Sequence, residues 1–287
     1  MAPLFNNVTI IGVGLIGGSL ARVLKAKNLA RSITGAGRSR ETLELAIKLG
    51  VIDHMGRDSA HAVEDADLVV LASPVGVFPK IMGDIGPRLK KGSILTDVGS
   101  VKGALIRTVE AAIASGVSYV PAHPIAGREK SGVAESSEAL FAGRRCILTP
   151  TERTDKKALD AVRELWVAAG SEVIIMDADL HDKIFAAVSH LPHVAAFGMM
   201  SAVAELNTGT EEYIRFSGAG FRDFTRIAAS SPEMWKDICL MNRDNLIPMI
   251  DRYLSALNRL KREIAAGDEN RLEQNLRTSS DVRKRLG

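Results

Sequence analysis

Near the start of the chain, Gly12-Val13-Gly14-Leu15-Ile16-Gly17 follows the apolar run Val8, Thr9, Ile10 and Ile11 and opens a helical stretch that ends near Lys27. Glycines at this spacing allow a tight turn, close approach of backbone to a pyrophosphate, and close helix packing, while the helix start offers free N–H groups to an anion. A bare six-residue match carries little weight. Set between a strand and a helix, it marks the first βα turn of a dinucleotide-binding unit and commits the chain to a parallel sheet covered by helices. Gly12, Gly14, Leu15, Ile16 and Gly17 are therefore candidate cofactor-binding residues.

The rest of the chain agrees with that opening. From residue 8 to about 176, short apolar runs alternate with amphipathic stretches, as in an α/β sheet domain. Strands are predicted near 8–13, 32–35, 68–72, 93–97, 119–122, 146–149 and 172–176, with helices over 41–49 and 103–115. Beyond Asp177 the β-type runs stop, and apolar residues such as Ile184, Val188 and Leu191 recur at helical intervals. The expected fold class is α/β: an N-terminal doubly wound Rossmann-type domain over 1–176, then an all-α substrate and dimerisation domain over 177–287. Apolar stripes on long helices such as 249–264 predict a homodimer packed helix on helix across a twofold axis, with a self-contained bundle as the alternative.

Composition narrows the function classes. A net charge of +3, from 37 basic and 34 acidic residues, is too small and diffuse to call for nucleic acid. The one basic cluster, 277–285, reads as a solvated helix end. Cys146 and Cys239 form neither a disulfide framework nor a ligand pair, so a reducing compartment, the cytoplasm, is expected. The N-terminus lacks the charged-then-apolar pattern of a signal peptide, and no apolar stretch is expected to reach the 18 or so residues that span a bilayer, so no membrane partner is expected.

Cofactor choice is read about 20 residues past the glycine turn, where a carboxylate selects NAD. Here Gly37 occupies that position, followed by Arg38, Ser39 and Arg40. The carboxylate that would repel a 2′-phosphate is absent, and two guanidiniums and a hydroxyl could bind one, which favours NADP while leaving NAD possible. The reading of Arg38 and Arg40 as plain solvated loop residues stays open. Ser73 and Pro74 close another strand at the ligand-binding edge of such sheets and are candidates to line the nicotinamide side.

The chemical candidates follow. His123, in His123-Pro124-Ile125-Ala126-Gly127, is expected just past a strand, in a loop shaped by Pro124 and Gly127. Its imidazole titrates near neutral pH and can serve as a general base. Ser100, in Asp97-Val98-Gly99-Ser100, closes a strand at the same edge; a plain backbone hydrogen bond is its alternative role. Pro192, in Ser189-His190-Leu191-Pro192-His193, interrupts an apolar helical pattern at a cost of about 3 kcal/mol, so a kink is expected. Arg226 stands in a mostly apolar helical context and needs a partner, either a substrate carboxylate or an internal Asp or Glu. No metal site is expected, because His190 and His193 lack a cysteine or carboxylate at ligand spacing, with Asp179, His181 and Asp182 the nearest candidates.

Taken in order, the glycine turn, Asp97-Val98-Gly99-Ser100-Val101-Lys102, the His123 block, Ser189 to His193, and Phe221-Arg222-Asp223-Phe224-Thr225-Arg226-Ile227 resemble the prephenate/arogenate dehydrogenase family of tyrosine biosynthesis over nearly the whole chain. The resemblance implies oxidative decarboxylation of prephenate or arogenate to 4-hydroxyphenylpyruvate or tyrosine. It implies His123 as the base, Ser100 as a hydrogen-bonding partner of the reacting hydroxyl, Ser189 and His193 as substrate contacts, and Arg226 as the grip on the side-chain carboxylate. Glu129 and Asp182 match positions that pair with this arginine near a domain or subunit interface. Arg128 stands where the family has a small residue, a departure that bears on neighbouring contacts. A β-hydroxyacid dehydrogenase or a pyrroline-carboxylate reductase would share the two-domain outline, but the chain lacks the lysine-centred helix motif of the former and the His123 block is not expected in the latter; a noncatalytic NADP-binding regulator would keep the glycines with no use for Ser100, His123 and Arg226 together.

Overall fold

The computed structural model describes residues 2–128, 130–206 and 212–285. The chain parts into two compact units, one formed by 1–185 with 229–242 and the other by 186–228 with 243–287.

The first unit is built on a parallel six-stranded sheet of order β3-β2-β1-β4-β5-β6. Its strands are β1 (Phe5–Ile11), β2 (Ala30–Ala36), β3 (His54–Met55), β4 (Leu68–Leu71), β5 (Ile94–Asp97) and β6 (Ser118–Val120). This is the strand order of the dinucleotide-binding Rossmann fold. Every residue of β4 is buried, as expected of a central parallel strand covered on both faces. Around the sheet run α1 (Leu15–Ala26), α2 (Arg40–Lys48), α3 (Ser59–Ala62), α4 (Phe78–Ile85), α5 (Gly103–Ala112) and α6 (Lys156–Ala168). Side-chain oxygens of Ser39, Asp58 and Asp155 cap α2, α3 and α6 by accepting backbone N–H groups of their first turns. The core runs from Ile10, Leu20 and Leu24 to Phe141 and Trp166.

Two features depart from the sequence reading. β3 is only two residues long, too short to show periodicity, and was not predicted. The strands predicted at 146–149 and 172–176 do not join the main sheet. They are β8 (Arg145–Leu148) and β9 (Glu172–Ile175), and with β7 (Ala122–Pro124) they form a second, three-stranded sheet in which β7 is antiparallel to β8. The predicted strand at 119–122 is therefore split between sheets at Pro121, which has no N–H to give a ladder.

Two helices beyond residue 176 also pack with the first unit: α7 (Ala178–Phe185) and, returning late in the chain, α10 (Pro232–Met241). Phe185, Trp235 and Ile238 are buried there, and Asn242 Nδ2 donates to the Asp182 carbonyl at 2.8 Å.

The second unit is helical: α8 (Leu191–Ala204), α9 (Ala219–Thr225), α11 (Arg243–Ala266) and α12 (Glu269–Lys284). Among its described residues only Ala186, Ala196 and Leu246 are buried hydrophobic side chains. Phe216, by contrast, is 90% exposed and Val188 67% exposed.

Pro192 marks a break in the regular α-helical ladder. It falls in the first turn of α8, directly after a π-helical stretch, Ala186–His190, whose wider turn accommodates the missing N–H. The continuous helical run Ala178–Ala204 is 27 residues long and, by length and composition, apolar enough to cross a membrane. That corrects the expectation that no stretch reaches this length: His190, Pro192 and His193 interrupt the pattern but leave the run apolar enough overall. His181, Asp182 and His190 on this run are nonetheless buried inside protein.

Candidate active site

The glycine turn is held as its sequence demands. Gly12 adopts φ +101°, and a Cβ there would lie 2.6 Å from the Ala72 carbonyl oxygen. At Gly17 a Cβ would come within 2.3 Å of the Gly12 oxygen, so the start of α1 can press onto the turn only without a side chain. Gly14 differs, because a Cβ there would meet no protein atom. Protein packing does not require glycine at that position, whereas close approach of a pyrophosphate to the start of α1 would. The residues present thus fit a dinucleotide.

Four residues expected beside the cofactor have local roles. Ser39 caps α2: its Oγ accepts from Thr42 N at 3.1 Å and donates to Glu41 at 2.8 Å. Arg40 pairs with Glu44 one turn along the helix at 2.8 Å. Ser73 Oγ donates to the Ile11 carbonyl at 3.2 Å, tying β1 to the end of β4, and Pro74 is exposed just before a 3₁₀ turn, Val75–Val77. Arg38 is exposed directly beyond Gly37, and a Cβ on Gly37 would meet no atom.

His123 is the middle residue of β7, opposite Ile147, and only 9% exposed. The expectation of a loop position is corrected: Pro121 ends β6 early, and the chain re-enters a ladder before reaching the histidine. The preceding residue is gripped by a buried ion pair absent from the sequence reading. Lys102 Nζ, fully buried, bonds Asp97 Oδ2 at 2.5 Å and the Ala122 carbonyl at 2.6 Å. Asp97 Oδ1 in turn accepts from Tyr119 Oη at 2.8 Å and from Ala122 N at 3.2 Å. Burial, and then the Asp97 charge, push the Tyr119 phenol well above its ordinary pKa, so it remains a donor. Both backbone polar groups of Ala122 are thereby satisfied where the chain changes sheets. Ser100 is half-buried on the bend after β5, in the same turn.

Behind His123 lies a second buried histidine. His123 Nδ1 is 2.8 Å from His181 Nε2, and His181 Nδ1 is 2.8 Å from Asp182 Oδ1. Asp182 Oδ1 also accepts from Lys102 N at 2.8 Å, and Oδ2 from Gly103 N at 2.9 Å, where α5 begins. Burial alone would raise the Asp182 carboxyl, but bonds from His181, Lys102 N and Gly103 N outweigh it and hold the pKa below the ordinary value. Asp182 was expected as an interface residue pairing with Arg226. It is 5% exposed, and both of its oxygens accept hydrogen bonds within its own unit, from the start of α5 and from His181. Glu129, its expected companion, lies outside the described residues.

The stretch after His123 folds back onto α1, where Ser19 Oγ accepts from Ser137 N and Ser136 Oγ from Arg22 Nε, each at 2.9 Å. The helix of the glycine turn and the loop following the candidate base are thus tied together.

The remaining candidates belong to the helical unit. His193 is half-buried, its Nδ1 3.0 Å from the Ser189 carbonyl, and burial lowers its pKa. Ser189 lies within the π stretch. Arg226 is exposed at the start of a 3₁₀ turn, Arg226–Ala229, in which Ile227 and Ala228 are half-buried.

The chain matches the sequence model of the prephenate dehydrogenase nucleotide-binding domain over residues 20–175 and that of the prephenate dehydrogenase dimerization domain over 177–278. It is 35% identical to the cyclohexadienyl dehydrogenase of Zymomonas mobilis over 98% of this chain and 96% of that protein. The crystal structure of prephenate dehydrogenase from Aquifex aeolicus in complex with hydroxyphenyl propionate and NAD+ superimposes with a TM-score of 0.92, at 39% identity and 98% coverage of both chains. Synechocystis arogenate dehydrogenase superimposes with a TM-score of 0.79, at 27% identity, covering 98% of this chain and 100% of that one. A Rossmann-type sheet carrying the glycine turn, a buried histidine on the second sheet of the same unit, a helical unit, and likeness along the whole length lead to one conclusion: the chain belongs to the prephenate dehydrogenase family.

Proposed function

We infer that this protein catalyses the oxidative decarboxylation of prephenate or arogenate in tyrosine biosynthesis, with His123 as general base. The observation that carries this reading is His123 itself, buried on β7 and braced by His181 in the same unit as the glycine turn. A bound nicotinamide dinucleotide, held by Gly12, Gly14, Leu15, Ile16 and Gly17, would supply the hydride acceptor. His123 takes the proton of the ring hydroxyl whose carbon is oxidised. Ser100 hydrogen-bonds that hydroxyl, and carbon dioxide leaves as the ring becomes aromatic. Ser189 and His193 contact the substrate, and Arg226 holds its side-chain carboxylate. The protein's own share of the work is to position, deprotonate and neutralise. Steady-state kinetics with prephenate and with arogenate, each with NAD and NADP, test the reading; no turnover in all four combinations would leave a binding protein or another dehydrogenase.

Arg226→Ala is expected to act on binding, because the carboxylate it holds keeps its charge through the reaction. Losing one charge-assisted contact of about 1.5 to 3 kcal/mol predicts a KM higher by roughly 10- to 150-fold, with kcat little changed. A KM unaltered by this substitution would remove Arg226 from the substrate site.

NADP is the favoured cofactor in this reading, supported by Gly37 at the position of the NAD-selecting carboxylate and by the exposed Arg38 beside it. Ser39 and Arg40 are occupied locally, so Arg38 carries the attraction. A side chain at 37 meets no atom, so Gly37→Asp with Arg38→Ala should swing preference towards NAD without disturbing the fold. A wild-type kcat/KM clearly higher with NAD would refute the assignment.

The helical unit is read as a homodimerisation domain. Its scarcity of buried side chains, against exposed Val188, Phe216, Ile264 and Val282, is what a chain leaves when a second copy completes its core. Sedimentation equilibrium should give twice the chain mass at micromolar concentration; a monomer there would reject this reading.

A further inference from the structure

His181 has no part in the reaction as read above, yet it is fully buried and stands in line between His123 and Asp182. The hydrogen positions along this line follow from donor and acceptor capacity. An ionised carboxylate only accepts, so His181 Nδ1 must donate to Asp182. The charged groups facing His181 among the described residues are Asp182 on its own helix and the Lys102–Asp97 pair of the β5–α5 turn; His123 and Phe185 also contact its ring. Burial is the largest influence among these and lowers the His181 pKa, so its ring is neutral near pH 7. A neutral imidazole has one N–H, and here Asp182 has taken it. His181 Nε2 is therefore a lone pair, and the 2.8 Å contact requires a proton on His123 Nδ1.

We propose that His181, anchored through Asp182 to the start of α5, is a positioning residue that fixes the tautomer of His123 with its proton on Nδ1 and its basic lone pair on Nε2. Phe185 supports this geometry by packing on both rings, with centroid separations of 4.8 Å to His123 and 4.5 Å to His181. The catalytic consequence rests on His123 being the base; the tautomer itself does not. The arrangement also favours the protonated form of His123, since an imidazolium donates from Nδ1 more strongly than a neutral ring.

Nitrogen-15 NMR of protein labelled at its six histidines tests the tautomer directly, with the His123 signals identified by their loss in His123→Asn. The expected result is a protonated Nδ1 and an unprotonated Nε2 on His123 in the unliganded protein; a protonated Nε2 there overturns the proposal, whatever the variants do. His181→Leu fills the space but removes the acceptor. It should lower kcat about 10-fold or more, leave KM within about twofold, and move the acid limb of kcat/KM to lower pH by about 0.5 to 1 unit. His181→Gln, whose amide oxygen can reach the place of Nε2, should recover most of both. An acid limb unmoved in folded His181→Leu also overturns the proposal. Should His123→Asn remain active, the base assignment falls while the NMR result still decides the tautomer.

Discussion

Replacing His123 with Asn is expected to lower kcat by about 100-fold or more while leaving KM nearly unchanged, the usual scale for a lost general base. The choice of Asn matters. Its amide can occupy the place of ring Nδ1, within reach of His181 Nε2, so the buried contact at 2.8 Å need not be lost. What disappears is the far side of the ring, where a lone pair could receive the hydroxyl proton. Because His123 lies inside a β ladder rather than in a loop, a substitution of similar width should leave β7 and β8 paired. Rates at saturating substrate across a pH range make the comparison, and a variant keeping more than a tenth of the wild-type rate at its optimum would remove His123 from the chemistry.

Lys102→Met should cost about 3 to 5 kcal/mol of folding stability, the range for breaking a buried ion pair on one side only. Methionine replaces the aliphatic stem, so the loss is electrostatic rather than a cavity. It strands the Asp97 carboxylate, fully buried, with Gly99 N, Tyr119 Oη and Ala122 N but no counter-charge, and leaves the Ala122 carbonyl without its ammonium donor. Typical domains have only about 5 to 15 kcal/mol to lose, so the effect should be evident as a lower urea midpoint with an unchanged slope. Paired loss with Asp97→Asn should be less than additive, since each substitution destroys the same contact. A loss below about 1 kcal/mol would mean that water or a rearranged turn satisfies Asp97, and that the pair does not hold the chain where it changes sheets.

Much of the first unit was legible in the sequence because its determinants are local. The glycines at 12, 14 and 17 act within one turn, and the buried parallel strands announce themselves as apolar runs, found within a few residues of their predicted bounds. The His123 block stood out by its own composition. What could not be read were pairings between residues far apart. His181 lies 58 positions from His123, and Asp182 lies 80 from Lys102. A polar pair, His181-Asp182, ahead of the apolar stretch that begins at Ile184 was the one available signal, since such a pair is costly to bury without partners. Lys102, taken as part of a turn, gave no sign of its burial: lysine is almost always solvated, and only the Asp97 carboxylate reverses that preference.

The amino-acid sequence by itself therefore determined the strand and helix alternation, the glycine turn and the onset of an all-helical region after Asp177, since each rests on composition and spacing along a short stretch; the family came from the resemblance of motifs spread over nearly the whole chain. The tertiary structure alone decided that β7 leaves the main sheet, that Lys102 meets Asp182 and the Ala122 carbonyl, and that His123 meets His181 and Asp182 in one buried line. The physical reason is desolvation. In water each of these polar groups would be satisfied by solvent wherever it stood in the chain; once the sheets close over them, each must find a partner within about 3 Å, and only the folded chain determines which groups are within reach.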